Sequence, residues 1–313
     1  MPKPRVFVTR KVPQEGIALL QDKCDVQVWD SEAIVPREEL LKSVEGVEGI
    51  FCTINDMINS EVLDAAGPTL KVVGTMSVGK DHIDVAECEH RGIYVANTPD
   101  IASDSAAEIT VALILITTRR LAEGMSAVRN GEWTFWKPQW MLGHNSMEKT
   151  LGIFGFGRVG FGVARRMKPF GVARIIYNDV FDAAFARDLA TRVSFDELLS
   201  QSDILCLCCA VTPQTIGKFN KKAFCKMKNT AVLINTSRGK IVNHDDLYDA
   251  LKEGQIAAAG LDVTSPEPLP VNHPLLTLPN CVILPHMGTN TWEARTSMSI
   301  NTAKNILAVL DAN

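Results

Sequence analysis

Short apolar runs alternate with amphipathic stretches along the first hundred residues. The apolar runs predict strands at residues 6–9, 26–29, 49–53, 70–74 and 94–96. The stretches between them have helical spacing and predict helices at residues 13–21, 37–44, 60–66 and 82–91. Alternation of this kind predicts a parallel sheet with helices on both faces.

A second alternation begins at residue 151. It predicts strands at residues 151–154, 174–177, 204–209, 231–235, 258–262 and 282–284, with helices between them. A long, mostly apolar helix over 103–121 and a final helix over 291–310 are the candidate joints between two α/β units. A helix that is apolar nearly all round is expected to be buried between layers or domains. We therefore expect two domains with a small-molecule site in the cleft where they meet.

Composition and charge narrow the class of protein. The chain has 313 residues, 46% apolar and 22% charged, which argues against disorder and against a coiled coil. The formal charge is −4 and no run of Lys or Arg exceeds two, so neither nucleic acid nor anionic lipid is an expected partner. The apolar runs are too short to cross a bilayer, and the first residues lead directly into a strand. The sequence predicts a cytoplasmic location.

The spacing of the eight cysteines does not indicate a disulfide framework. Cys206, Cys208 and Cys209 fall inside one apolar run, no C-x-x-C pair occurs, and no His lies at zinc spacing from that run. Free cysteines usually behave as small buried hydrophobes. We expect reduced core residues and no metal site.

The sharpest motif is the glycine run that contains Gly155, Gly157 and Gly160. It follows an apolar strand, opens a helix and leads to a second strand, and Asp179 stands 19 residues beyond Gly160. This order is the dinucleotide-binding fingerprint, in which glycines permit a tight turn and the helix N-terminus binds the pyrophosphate. A carboxylate at Asp179 would accept hydrogen bonds from the ribose hydroxyls and would repel a 2′-phosphate. No arginine that could bind such a phosphate follows until Arg187. These features favour NAD(H).

Three polar residues near the ends of later strands suit the reduction of a 2-oxo acid. Arg238 matches a carboxylate with its planar, permanently charged guanidinium. His286 suits proton delivery, because the ordinary pKa of histidine lies near neutrality. Glu267 would fix the tautomer of that imidazole and favour its protonated form. Each residue alone also fits a structural role, and only the set, following a dinucleotide fingerprint, predicts catalysis.

Several motifs carry a family resemblance. The glycine run, Asn235-Thr-Ser-Arg238-Gly, Gly260-Leu-Asp262-Val, Pro266-Glu267-Pro and Pro285-His286-Met-Gly288 resemble the D-isomer-specific 2-hydroxyacid dehydrogenases over essentially the whole chain. Within that family the segments at 75–82, 136–140 and 262–276 resemble most the animal glyoxylate/hydroxypyruvate reductases.

The resemblance implies two Rossmann-like, doubly wound parallel-sheet domains with the active site in the cleft. Residues 1–98 and 290–313 would form a discontinuous substrate domain, and residues 99–289 a dinucleotide-binding domain with a dimerisation loop at about 120–150. The implied catalytic set is Arg238, Glu267 and His286. The implied cofactor-binding residues are Gly155, Gly157, Arg158, Val159, Gly160, Asp179, Ala210, Thr236 and Asp262. The implied substrate-binding residues are Val78, Gly79, Arg238, His286 and Gly288, together with Trp140 contributed by the partner of a homodimer.

Two departures from the relatives affect these expectations. The animal reductases carry Gly and then Arg where this chain has Asp179 and Val180, and they prefer NADPH. The exchange removes a phosphate partner and adds a repelling charge, so we expect a preference for NADH, with NADP(H) as the alternative. Thr289 and Asn290 replace smaller residues after the active-site glycine, which is expected to alter the fit of the substrate.

The sequence thus predicts an NAD(P)H-dependent reductase of glyoxylate and hydroxypyruvate, yielding glycolate and D-glycerate. A dehydrogenase for another D-2-hydroxy acid, such as D-lactate or phosphoglycerate, is one alternative. An NAD(H)-sensing corepressor of the same fold is the other, because such relatives keep the catalytic residues.

Overall fold

The computed structural model describes residues 2–186 and 188–312, which form two compact units. The first unit contains the residues up to Ala102 and those from Thr289 onward, and the second unit contains Ser103–Gly288. The polypeptide therefore leaves the first unit, builds the whole second unit, and returns with its last helix.

A five-stranded parallel sheet forms the centre of the first unit. Its strands are β1 (Arg5–Val8), β2 (Asp25–Val28), β3 (Gly49–Cys52), β4 (Val72–Thr75) and β5 (Tyr94–Ala96), in the spatial order β2-β1-β3-β4-β5. The helices are α1 (Gln14–Lys23), α2 (Arg37–Ser43), α3 (Ser60–Ala66), α4 (Val85–His90) and, at the chain's end, α11 (Trp292–Asp311).

Both faces of this sheet are covered by helices. Phe7 of β1 points into one apolar core with Leu63 of α3, whereas Val8 points into the other core with Ile306 of α11. Gly74 of β4 lets α11 lie directly on the sheet, since a Cβ there would lie 2.7 Å from the Ile306 side chain. Burial on both faces explains why these strands are continuous apolar runs.

A seven-stranded parallel sheet forms the centre of the second unit. Its strands are β6 (Thr150–Phe154), β7 (Arg174–Asn178), β8 (Thr191–Arg192), β9 (Ile204–Leu207), β10 (Val232–Asn235), β11 (Ala258–Leu261) and β12 (Cys281–Ile283), in the order β12-β11-β10-β9-β6-β7-β8. The helices are α5 (Ser103–Thr118), α6 (Leu121–Arg129), α7 (Arg158–Met167), α8 (Phe195–Gln201), α9 (Lys221–Phe224) and α10 (His244–Lys252). The predicted fold class, two Rossmann-like parallel-sheet domains, is confirmed.

The strand order reverses beside β6. β7 and β8 extend the sheet on one side of β6, and β9 to β12 extend it on the other side. Ligands of open α/β sheets bind outside the carboxyl ends of the strands at such a switch point. The topology therefore predicts a ligand-binding site at the loops that follow β6 and β9.

Most bounds differ from the predictions by one or two residues, and three differences have a clear physical reason. The helix predicted over 103–121 ends at Thr118, and a separate helix, α6, starts after Arg120, whose φ of +55° no continuous α-helix allows. The helix predicted from residue 82 starts at Val85, because the Asp84 side chain caps it by accepting the N–H of Glu87. The two-residue edge strand β8 is absent from the predictions, since it is too short to show an apolar pattern.

The cysteines are all free, and seven of them are buried or half-buried. Cys225 is exposed, so the expectation of a core residue is wrong at that position. It directly follows the short helix α9.

Candidate active site

The glycine loop after β6 is shaped to admit a ligand at the start of α7. Gly155 has a φ of +90°, and a Cβ there would lie 2.5 Å from Cα of Cys209 in the loop after β9. A Cβ on Gly160 would clash with the Gly155 carbonyl oxygen. Around Gly157, by contrast, no described atom outside the adjoining residues of the chain lies within 4 Å of the Cβ position, and no side chain caps the helix it begins. The loop thus fits the pyrophosphate of a dinucleotide, which can reach the helix N-terminus.

Asp179 is held beside this loop. Its Oδ2 accepts the N–H of Phe156 at 2.6 Å, and its Oδ1 accepts the N–H of Phe181 at 3.2 Å. Arg192 donates to the carbonyl oxygens of Asp179 and Val180, at 2.8 and 3.2 Å. A carboxylate has about four lone-pair sites, so Asp179 keeps acceptor capacity for ribose hydroxyls. Arg187, the next arginine along the sequence, lies outside the described residues.

A buried asparagine shapes the turn that carries Arg238. Asn235 at the end of β10 donates from Nδ2 to the Arg238 carbonyl at 2.9 Å, and its Oδ1 accepts the N–H of Ser237 at 3.1 Å. Arg238 itself donates from Nη1 to the Ser237 carbonyl at 2.8 Å. Thr236 lies in the same turn, with Oγ1 2.7 Å from Oγ1 of Thr110 on α5. The turn is thereby fixed before any ligand binds.

Asp262, the residue after β11, organises the loop that contains His286. Its fully buried carboxylate accepts the N–H of Met287 at 2.7 Å and the N–H of Gly288 at 2.8 Å. Its carbonyl accepts the N–H of His286 at 2.9 Å. Burial raises the pKa of Asp262, while these N–H groups and the charge of His286 oppose that shift. His286 has a φ of +56°, a strained conformation for a non-glycine residue that these bonds maintain.

Glu267 and His286 form a hydrogen-bonded pair. Nδ1 of His286 lies 3.1 Å from Oε2 of Glu267, and Oε1 of Glu267 accepts the N–H of Thr264 at 3.2 Å. Burial pushes the pKa of Glu267 upward, but the hydrogen bond and charge of His286, the Thr264 N–H and the charge of Arg238 together hold it below its usual value. The second unit thus brings together the three residues predicted to be catalytic.

In the first unit, the loop after β4 presents two backbone N–H groups. The carbonyls of three successive residues are occupied: Ser77 O accepts the Thr98 N–H at 2.9 Å, Val78 O accepts Nδ2 of Asn97 at 2.7 Å, and Gly79 O accepts Oγ of Ser77 at 2.6 Å. The N–H groups of Val78 and Gly79 have no partner among the described residues. Successive backbone N–H groups are a common way for proteins to bind an anion.

Sequence reasoning missed the residues that hold this loop. Oγ1 of Thr75 lies 2.8 Å from Oγ of Ser77 and 2.9 Å from Nε2 of the buried His82. Asn97 shows in the sequence only as a break before a helix. The spacing Thr75-Met-Ser77 does place two hydroxyls on the same face of the chain, which is the available signal.

The remaining predicted residues lie in loops or at helix starts. Arg158 and Val159 are the first two residues of α7. Ala210 is exposed in the loop after β9, and its carbonyl accepts a hydrogen bond from the Thr215 hydroxyl. Gly288 lies two residues after His286, and its N–H donates to Oδ2 of Asp262 at 2.8 Å. Trp140 is half-buried in the loop after α6, with Nζ of Lys137 5.0 Å from the centre of its ring.

The comparisons with known proteins decide the family. The family model described as "D-isomer specific 2-hydroxyacid dehydrogenase, NAD binding domain" matches residues 111–288. The chain belongs to this family. The predicted membership is therefore confirmed, and the dehydrogenase is an NAD(P)-dependent oxidoreductase.

Relatives and solved structures agree with this membership. The dehydrogenase is 52% identical over 310 residues to the glyoxylate reductase/hydroxypyruvate reductase of Homo sapiens, covering 98% of this chain and 94% of that one. The TT0316 protein of Thermus thermophilus superposes with a TM-score of 0.93 at 39% identity, covering 99% and 97% of the two chains. The D-lactate dehydrogenase of Aquifex aeolicus, solved with NAD and lactic acid, gives a TM-score of 0.85 at 30% identity, covering 98% and 96%.

The length and apolar character of the helices decide whether they could span a membrane. None of those within residues 2–186 and 188–312 is long and apolar enough to span a bilayer.

Proposed function

We propose that the dehydrogenase reduces glyoxylate to glycolate and hydroxypyruvate to D-glycerate, with a nicotinamide cofactor. The observation that carries the proposal is the 3.1 Å contact between His286 and Glu267, in a chain 52% identical to a human glyoxylate/hydroxypyruvate reductase. An imidazole supported by a carboxylate is the proton donor that reduction of a carbonyl requires.

The second unit is proposed to be the dinucleotide-binding domain. The pyrophosphate would bind at the start of α7, in the loop that contains Gly155, Gly157 and Gly160. Asp179 would accept hydrogen bonds from the adenosine ribose. Arg158, Val159, Ala210, Thr236 and Asp262 would complete the cofactor contacts. When bound, the reduced nicotinamide supplies the hydride.

Proton delivery is assigned to His286. Glu267 accepts its Nδ1–H, which orients the ring and leaves Nε2 to donate to the substrate oxygen. The low pKa of Glu267 keeps that residue negatively charged, so the protonated imidazole is stabilised. Arg238 is proposed to bind the substrate through its guanidinium and to stabilise negative charge that develops on the oxygen.

The first unit is proposed to be the substrate domain. The N–H groups of Val78 and Gly79 would bind the substrate carboxylate, which is supported by the carbonyls of that loop being tied down. Gly288, in the second unit, is also proposed as a substrate-binding residue.

We propose NADH as the preferred cofactor. Asp179 places a negative charge where the ribose hydroxyls are expected, and the neighbouring Val180 offers no cation to a 2′-phosphate. NADPH is the alternative.

A homodimer is proposed from the exposed apolar side chains around α6. Leu121, Met125 and Val128 are exposed with the spacing of one helix face, and the following loop exposes Trp133, Phe135 and Trp136, the last of these by 79%. Aromatic side chains of this kind are typical interface anchors. Trp140 would then be contributed to the partner's active site. A cytoplasmic location and the absence of a nucleic-acid partner stay predictions from the sequence.

The test is a screen of small 2-oxo acids with purified protein, following the oxidation of NADH and of NADPH. We expect turnover of glyoxylate and hydroxypyruvate, with a smaller kcat/KM for pyruvate and phosphohydroxypyruvate. Pyruvate or phosphohydroxypyruvate as the best substrate would replace the proposal with a D-lactate or phosphoglycerate dehydrogenase. Cofactor binding without turnover of any of these acids would favour the NAD(H)-sensing corepressor.

A further inference from the structure

A second histidine is buried close to the catalytic pair. His244 is the first residue of α10 and is only 7% exposed. Its Nδ1 lies 3.0 Å from the carbonyl oxygen of Ser265. Because a carbonyl only accepts, Nδ1 carries the hydrogen and Nε2 is left unprotonated. Nε2 is buried and has no hydrogen-bond partner among the described residues.

The environment of His244 keeps it neutral. Burial lowers its pKa and the neighbouring His273 acts in the same direction, while the Ser265 carbonyl and Asp245 oppose the shift. The ring of His273 meets that of His244 edge to face, with centres 6.1 Å apart. A proton added to Nε2 would be a buried charge with no acceptor, which is costly. The imidazole therefore acts as a fixed donor toward Ser265.

This donor joins the two segments that carry catalytic side chains. On one side, His244 follows Arg238 by a single turn of 3-10 helix (Gly239–Ile241) and a short connection. On the other side, Ser265 stands just before Glu267, with one proline between them. Gly239 packs against the same loop so closely that a Cβ on it would clash with the Thr264 carbonyl group. The His244–Ser265 hydrogen bond and the Gly239–Thr264 contact thus fix one segment against the other.

We propose that His244 is a positioning residue for the reduction, which holds the Ser265 carbonyl so that Glu267 stays in contact with His286. This inference rests on the proposed function for its kinetic consequence, but its structural consequence can be measured without turnover. Thr264 belongs to the same arrangement, because its N–H is the second donor to Glu267. A merely structural histidine would affect stability alone.

Two substitutions separate the hydrogen bond from the packing. His244→Asn keeps a donor at the position of Nδ1, and His244→Leu fills the space without a donor. We expect His244→Leu to lower kcat for hydroxypyruvate roughly 10-fold, since small misplacements of catalytic groups have effects of this size or larger. KM for the nicotinamide should stay unchanged, and His244→Asn should recover most of the lost kcat.

A control variant distinguishes positioning from loss of stability. Leu247→Val removes buried volume from the same helix but keeps the His244 donor to Ser265, and it should lower the melting temperature with kcat unchanged. If Leu247→Val lowers kcat as much as His244→Leu, or if His244→Asn recovers nothing, the positioning role is wrong.

The pKa of Glu267 gives a readout that needs no substrate. It can be followed by NMR with carboxyl-labelled glutamate, and the signal can be assigned with Glu267→Gln. Since the contacts with His286 and Thr264 hold this pKa low, we expect it to rise toward the ordinary value in His244→Leu and to stay low in His244→Asn. An unchanged pKa in His244→Leu would overturn the inference. Inactivity of the wild-type enzyme toward both acids would instead overturn the proposed function and leave this measurement valid.

Discussion

Nδ1 of His286 lies 3.1 Å from Oε2 of Glu267, and His286 holds a left-handed backbone conformation with a φ of +56°. The pairing orients the imidazole, and the hydrogen bonds of the surrounding loop hold the backbone in this strained conformation. Strained residues of this kind persist where surrounding bonds over-determine them, and here the N–H groups of Met287 and Gly288 donate those bonds to the Asp262 carboxylate.

Replacing Glu267 by Gln should lower kcat without unfolding the protein. The amide keeps the shape of the side chain but removes the charge that stabilises the protonated imidazole, and general acid catalysis contributes about 100-fold or more. We expect a fall of that order in kcat for glyoxylate, with little change in KM for NADH. A variant that retains wild-type kcat would show that His286 works without its acidic partner.

The pH profile of kcat/KM checks the same prediction. The pKa of Glu267 is held below its usual value, so the carboxylate persists at pH values where an ordinary glutamate is already protonated. In the wild type, activity should be kept as the pH falls through the ordinary glutamate range and be lost only as it passes the lowered pKa. Glu267→Gln should lack this acid limb, because an amide does not titrate there. A wild-type acid limb above the ordinary range would contradict the assignment.

Asp262→Asn should reduce both stability and kcat. The carboxylate accepts two backbone N–H groups, whereas an amide offers one oxygen and turns its NH₂ toward the other N–H. A buried donor left without a partner costs about 1–3 kcal/mol. Denaturant unfolding measures the loss of stability. The fall in kcat measures the loss of activity, which is expected because the loop that carries His286 is released. An unchanged free energy of unfolding would mean that the loop is held by other contacts.

The sequence predicts those parts of the fold and site whose residues lie close together along the chain or whose residue types have distinctive chemical roles. The glycine run, Asp179 and the strand pattern lie close together along the chain, so the dinucleotide fingerprint could be read directly. The complementary roles of an acid and an imidazole predict the pairing of Glu267 with His286, and the structure brings the two side chains into contact.

Other parts of the site depend on backbone partners that no residue pattern reveals. The bonds from Met287 and Gly288 to Asp262 are made by N–H groups that every non-proline residue carries. The contact of His244 with Ser265 joins a helix start to a loop 21 residues away. The break between α5 and α6 is set by the backbone of Arg120, which the apolar pattern before it does not reveal. Tertiary packing decides such features, not local propensity.

Ser77→Ala should weaken substrate binding selectively. The substitution removes the hydroxyl that donates to the Gly79 carbonyl, so the loop that presents the Val78 and Gly79 N–H groups loses one of its supports. A hydrogen bond of this kind is worth about 1 kcal/mol, and we expect KM for glyoxylate to rise roughly 5- to 10-fold with KM for NADH unchanged. Thr69→Val, which removes another hydroxyl-to-carbonyl bond in the first unit, is the matched control. Equal effects of the two variants would remove the special role of Ser77.

The exposed apolar face of α6 gives a test of the homodimer. Met125→Glu combined with Val128→Glu places two charges on that face, which a buried interface would not tolerate. Sedimentation analysis should show a dimer for the wild type and a monomer for the double variant. Ile34→Glu, at an exposed position of the first unit, should remain dimeric. A monomeric wild type, or a double variant that still dimerises, would exclude this surface as the interface.

Asp179 and Val180 give a test of the predicted preference for NADH. Asp179 is fixed by the N–H groups of Phe156 and Phe181, so its charge cannot swing away from an incoming 2′-phosphate. The wild type should therefore have the larger kcat/KM with NADH. Asp179→Gly combined with Val180→Arg removes the repulsion and adds a guanidinium, whose charge-assisted bonds to phosphate should raise kcat/KM for NADPH roughly 10- to 100-fold.

Asp179→Asn separates the loss of charge from the gain of a guanidinium. It removes the charge while keeping the shape of the side chain, so it should give part of the gain in kcat/KM for NADPH. If the wild type already prefers NADPH, the argument from Asp179 is wrong. Arg192 would then be the cation to replace next, because it donates to the carbonyls of Asp179 and Val180 and so lies beside the same loop.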